Sequence, residues 1–285
     1  MNKRKKVGNH FLAKFAHHRL ALVASLFLIA EILCIIILPA VMHLDAVTSD
    51  FTAMGKGPSA AHILGTDEIG RDVLARILFG GRVSLIVGIG STVISVLIGL
   101  PLGVIAGYYQ GKLGNLIMRL ADMFMSFPTM ILILVLVSVI GPSVTTVIVV
   151  IGCLGWTSSC KLMYGSVLSV RNKEYVEAAV AIGTPDWKIL TQYVIPNAIS
   201  PLWVSIAFRV SSAIITESSL SFLGAGVQPP QSSWGNIIYA AQNNNVFLNK
   251  MWIWVPASIV LLVTIVCINF VGEGVRDALD PKMKR

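Results

Sequence analysis

EYVEAAVAIGTPDWKILTQYVIPN, residues 174–197, is a polar, cap-rich island between two long apolar runs, and it reads as two short helices joined by a break. On the first helix Tyr175, Val176, Ala178, Ala179 and Ile182 fall to one side, with Glu174 and Glu177 on the other, which is the pattern of a surface helix. Gly183 follows the last periodic residue, where a left-handed backbone closes a helix C-terminus. Thr184, Pro185 and Asp186 then stand as N-cap, first-turn proline and first-turn acid of a second helix that carries Trp187, Leu190 and Val194 at i, i+3 and i+7. The spacing predicts that Ile195-Pro196 ends this helix and turns the chain back into a membrane.

Composition sets the class. Of 285 residues 55% are hydrophobic and 13% charged, and the mean hydropathy is +0.78. These values exclude a soluble globular protein and identify an integral membrane protein, which the span-length apolar runs below make all-α. The net charge of +8 is read as topology and contact with membrane lipid rather than as affinity for nucleic acid, for which no aromatic-basic platform is visible. Cys34, Cys153, Cys160 and Cys267 lie inside apolar runs with no C-x-x-C pair and no histidine at ligand spacing. They are expected to pack as small apolar residues, and no metal site is expected.

Residues 1–19 form a basic segment with Lys3, Arg4, Lys5, Lys6, Lys14 and Arg19, and residues 20–42 are apolar. This run exceeds the about 7–15 residues of a signal-peptide core and spans ~30 Å of hydrocarbon, so it is read as a retained first helix. Further spans are expected at 85–108, 118–140, 144–165, 200–224 and 252–271, six in all. An even number puts both termini on one side. Lys112, Arg119, Lys161, Arg171, Lys173, Lys188, Arg276 and the tail residues Lys282, Lys284 and Arg285 join the N-terminal charges there, which makes that side, and the elbow, cytoplasmic by the positive-inside rule. The resulting division is a first helix, an external segment at 43–83, a five-helix core at 84–276 that includes the elbow, and a tail at 277–285.

Within 43–83, Thr66 or Asp67 can cap a short amphipathic helix in which Asp72 and Arg76 pair at i, i+4 and which Gly80-Gly81 breaks. Pro101 and Pro128 suggest kinks around a cavity. The fifth span carries Arg209 and Glu217, and a charge near the bilayer centre costs about 2.5–3.5 kcal/mol, so each must face a bundle interior, a cavity or a partner. Eight residues at about 1.5 Å rise hold them roughly 12 Å apart, beyond direct pairing. Glu31 in the first span poses the same question.

Glu177-Ala178-Ala179, Gly183 and Ile195-Pro196 resemble the EAA loop of permease subunits of ATP-binding-cassette (ABC) importers, although Tyr193 stands where a histidine is common and Ile195 where a leucine is common. Gly65-Thr66-Asp67 with Gly70-Arg71-Asp72, and Ser221-Phe222-Leu223-Gly224 through Pro229-Pro230 to Trp234-Gly235, resemble the peptide and nickel branch of the same permeases. The resemblance extends over nearly the whole chain from residue 62 onward. It implies the type I ABC importer permease fold, with Glu174, Glu177, Ala178, Ala179, Gly183, Thr184, Asp186 and Trp187 coupling to an ATPase, and Arg209, Glu217, Asp67, Arg71 and Asp72 as candidate pathway or gate residues. It also implies two ATPase subunits that hold ATP and Mg, a homologous second permease subunit, an external solute-binding protein, and a bacterial or archaeal cell membrane. No G-x-x-x-x-G-K-[ST] sequence occurs in this chain, so no cofactor is expected on it and no enzymatic activity of its own. A proton-coupled carrier relaying through Glu31, Arg209 and Glu217 is the alternative, though the internal repeats usual in such carriers are not seen.

Overall fold

The computed structural model describes Phe15 and residues 18–279. Lys3, Arg4, Lys5, Lys6, Lys14, Lys282, Lys284 and Arg285 lie outside the described residues, which contain helices and a lone Thr66–Asp72 β-bridge but no strand. α1 spans Arg19–Val41, α2 Val73–Tyr109, α5 Val144–Arg171 and α12 Met251–Leu279, each long and apolar enough to cross a membrane. Two bent pairs, counted as one span each, bring the total to six: α3 (Gly111–Met125) meets α4 (Thr129–Ile140) at 81°, and residues 186–198 meet α9 (Ser200–Phe222) at 56°. The first bend falls at Pro128, which takes the N-cap position of α4 in an extended conformation. Pro101 lies inside α2, which runs on to Tyr109.

The short amphipathic helix expected before the second span does not exist as a separate element. α2 begins at Val73, is capped by Asp72 through a 2.8 Å bond from the Ala75 amide, and continues through Gly80-Gly81. At about 1.5 Å per residue its 37 residues reach about 55 Å, well beyond a bilayer core. Two glycines do not break a helix when the space beside them is filled. A Cβ at Gly81 would stand 2.7 Å from the Ile35 side chain and 3.0 Å from Trp234, so both glycines serve close packing.

Gly99, Gly103 and Gly107 form a stripe with a four-residue repeat along α2, against which α5 lies so closely that a Cβ on Gly103 would stand 2.6 Å from that of Met163. Small residues at this spacing let helix backbones approach where no hydrophobic effect drives them together. Beside this contact a core of Val104, Tyr108, Met163, Val167 and Val170 continues into the elbow through Val176, Ala179, Ile189 and Val194. At the opposite end Ile35, Val73, Ile77, Ile214, Trp234 and Ala257 join α1, α2, α9 and α12. Of the cysteines, Cys160 is buried, whereas Cys34 and Cys153 lie exposed on helix surfaces rather than in the packed interior.

Candidate functional site

The elbow is α6 (Glu174–Ala181) followed by α7 (Asp186–Ile189). Gly183 has φ +75, its amide donates to Val180 O (3.0 Å), and the Thr184 amide donates to Ala179 O (3.1 Å). These two bonds close the last turn of α6 as a Schellman motif, which needs a left-handed residue at the glycine position. Thr184 is not the cap of the next helix. Pro185 occupies that position, extended at φ −66 and ψ 145, and α7 starts at Asp186.

Burial within α6 is narrower than its apolar pattern suggests. Val176 and Ala179 face the spans, while Tyr175, Ala178 and Ile182 join Glu174 and Glu177 outside. Of this helix only Val176 and Ala179, at i and i+3, join the core shared with α2 and α5. Ile182 is 81% exposed and Trp187 62%, the latter carrying Lys188 Nζ 5.5 Å over its ring. Asp186 accepts a 2.8 Å hydrogen bond from Tyr108 Oη at the end of α2, and Arg171 stands over the Tyr108 ring. Tyr108, Arg171, Glu177 and Asp186 line a cavity of about 520 Å³ between elbow and spans.

Ile195-Pro196 does not end the second helix. The chain widens into a π-turn over Leu190–Val194, where the Ile195 amide bonds Leu190 O, and continues as α8 (Ile195–Ala198) to a bend at Ile199. The extra residue per turn accommodates a proline that offers no amide, and Asn197 Nδ2 supplies a 2.6 Å bond to Tyr193 O.

At the other end of the bundle, Asp67 is the centre. Its carboxylate accepts from Arg71 Nε (2.8 Å) and Arg76 Nη1 (2.6 Å), as well as from the amides of Ile69 and Arg71. Arg76 therefore pairs with Asp67 and not with Asp72, whose side chain is taken by the α2 cap and by His62 Nδ1 at 2.8 Å. Arg76 also reaches Asn236 and Ser232 at 3.3 Å, beside α10 (Trp234–Ile238). The segment expected to be an outside turn is thus folded back. Trp234, wholly buried, donates from Nε1 to Ile77 O at 3.1 Å. α11 (Asn244–Asn249) then leads to α12, where Trp252 donates to Thr66 O at 3.2 Å.

Arg209 and Glu217 do not meet. Glu217, with no exposed surface, accepts from Ser221 (2.7 Å), Ser84 (3.0 Å) and Ser218 (3.4 Å), tying α9 to α2. Arg209 donates from Nη2 to Gly155 O at 2.9 Å and borders a cavity of about 610 Å³. Glu31 accepts from Thr264 Oγ1 at 2.5 Å across the α1–α12 contact. Sequence reasoning did not find Ser84, Asn236 or the Tyr108–Asp186 tie. It also passed over Ser205, Ser212 and Thr216, which at spacings of four, three and four residues share one face of α9 with Arg209.

The family model for "Binding-protein-dependent transport system inner membrane component" matches residues 99–285. The chain is 36% identical to the glutathione transport system permease protein GsiD of Pectobacterium atrosepticum, covering 96% of this chain and 91% of that protein. It is 39% identical to the oligopeptide transport system permease protein OppC of Haemophilus influenzae (92% and 85%) and 35% identical to the di/tripeptide transport system permease protein DppC of Pseudomonas aeruginosa (96% and 92%). Among solved structures, one chain of the inward-facing MetNI methionine ABC transporter superposes with a TM-score of 0.60 at 18% identity, over 73% of this chain and 97% of that one. The superposition carries the fold, that of a type I ABC importer permease, and the sequence matches carry the lineage. By the family model and the sequence matches, the chain belongs to the binding-protein-dependent transport system inner membrane components, as a multi-pass membrane permease.

Proposed function

We propose that this chain is the permease subunit of an ABC importer that moves peptides into the cell, driven by ATPase subunits docked on the elbow. The observation that carries this reading is the elbow's outer face. Tyr175, Val180, Ile182 and Trp187 stand exposed around a fixed left-handed corner, while the inner face is packed on α2 and α5. Exposed apolar side chains on a rigid, capped element are what a partner's cleft would cover. Closure of the two ATPase subunits would then be passed through the Tyr108–Asp186 bond and the shared core into rotation of α2 and α5. A homologous second permease subunit would complete the pathway, and an external solute-binding protein would deliver the substrate. ATP and Mg would be held by the ATPases.

The names of the relatives, which specify glutathione, oligopeptides and di/tripeptides, favour peptides over nickel or a metal chelate. Orientation follows the charge asymmetry, with the elbow and both termini cytoplasmic and the Asp67 end external. Ser232, which is buried, is unsuitable as a reporter of this topology, whereas Ser59 and Gln231 are exposed. Cysteines at those two positions should label with an impermeant thiol reagent in intact cells, and a cysteine at Lys188 should not. Uptake of trialanine by the full complex in proteoliposomes separates the importer from a proton-coupled carrier. The expected result is uptake that requires ATP and resists a protonophore. Protonophore-sensitive uptake without ATP would overturn the proposal.

A further inference from the structure

The cavity beside Arg209 has an unusual wall for the middle of a membrane protein. α9 contributes Ser205, Arg209, Ser212 and Thr216, α2 contributes Ser91, Thr92 and Ser95, and none of its lining residues is acidic. Several of these hydroxyls already donate to backbone carbonyls: Thr92 to Gly88 O (2.8 Å), Ser95 to Gly152 O (3.0 Å), Ser205 to Leu202 O (2.9 Å) and Thr216 to Ser212 O (2.8 Å). With its proton so engaged, each hydroxyl presents acceptor lone pairs to the cavity. Arg209 is the opposite kind of group, with five N–H donors and no acceptor. Its bond to Gly155 O uses part of that fork, and among the described residues no carboxylate lies within ion-pair distance of it. A guanidinium held at this depth needs an anion, and its geometry matches a carboxylate.

We propose that Arg209 receives the C-terminal carboxylate of a peptide in transit, while the surrounding hydroxyl oxygens accept the peptide's N–H groups. The wall then fits a chain of amides ending in a carboxylate. A bare divalent cation would meet the charge of Arg209 with no acid beside it. The inference rests on the peptide-importer reading above and adds the residue that recognises the substrate's charged end.

The test uses the complete complex in proteoliposomes with trialanine and trialanine amide, each supplied at saturation of the solute-binding protein as measured separately. Arg209→Gln is expected to lower trialanine uptake by about 10-fold or more, the loss of a charge-assisted hydrogen bond. Uptake of the amide should stay near the parent's rate. Arg209→Lys keeps the charge but not the planar fork and should recover only part of the trialanine uptake. Equal losses for the two peptides, or failure of Arg209→Gln to co-purify with its partner subunits, would overturn the proposal and assign Arg209 to an ion pair with a neighbouring subunit. Unchanged trialanine uptake would overturn it as well. A parent complex that carries neither peptide would instead sink the peptide-importer reading.

Discussion

At the Asp67 end of the bundle a single carboxylate gathers Arg71 and Arg76, Arg76 reaches Asn236, and Trp234 is sealed against α2, so the polar groups there are satisfied inside the chain. The elbow end is organised in the reverse manner. Its backbone is closed by local bonds at Gly183, but its large side chains, Ile182 and Trp187 foremost, are left outside. One end has been built to hold its own shape and the other to offer a shape. Under the function proposed above, the first end chiefly supports stability and the second is the face a partner would cover.

Substitutions can break this contrast. The largest effect is expected at Asp67→Ala, which leaves the buried Arg76 guanidinium without its counter-charge and should destabilise the protein by about 3–5 kcal/mol. A sharply lowered Tm in detergent and reduced membrane abundance would register it. Wild-type Tm would mean that Asn236 and Ser232 satisfy Arg76 unaided. Tyr108→Phe removes only the hydroxyl that donates to Asp186, a cost of about 0.5–1.5 kcal/mol, and should weaken the link between elbow and α2. Its signature is hydrolysis that continues while uptake per ATP falls, and an unchanged ratio would break the proposed route. The smallest effect on stability is expected at Ile182→Ser, within about 0.5 kcal/mol because the side chain is exposed. Retention of the ATPase subunits during purification should nevertheless drop. Full retention would remove Ile182 from the docking face.

The two ends also differed in how much of them could be read from the residues alone. Gly183 was legible because the Schellman bonds join amides and carbonyls only three and five residues apart. The spans were legible because about 20 apolar residues are a local property. At the Asp67 end helix spacing misleads: Asp67 lies nine positions before Arg76 and outside helix α2, so the i, i+4 pattern points to Asp72 instead, and Asn236 lies 160 positions away. Gly80 and Gly81 read as a break because the Ile35, Ser233 and Trp234 atoms that crowd them come from other elements. Pro196 read as a stop because a π-turn that absorbs a proline leaves no local sign. The acceptor-lined face of α9 could have been found from its spacing, but its meaning depends on α2 and α5 closing the same cavity.

Gly183→Val and Glu177→Lys decide between an elbow that transmits ATPase motion, as proposed, and one that merely joins spans. A Cβ at Gly183 meets nothing within 4 Å, so the valine acts through the left-handed backbone alone, at roughly 1–2 kcal/mol, and the lysine acts only through surface charge. ATP hydrolysis stimulated by the substrate-loaded binding protein is measured in reconstituted complexes matched for subunit content. Near-normal membrane abundance with a marked loss of stimulated hydrolysis and uptake is expected in both variants. Parental hydrolysis and uptake in both would contradict transmission through the elbow.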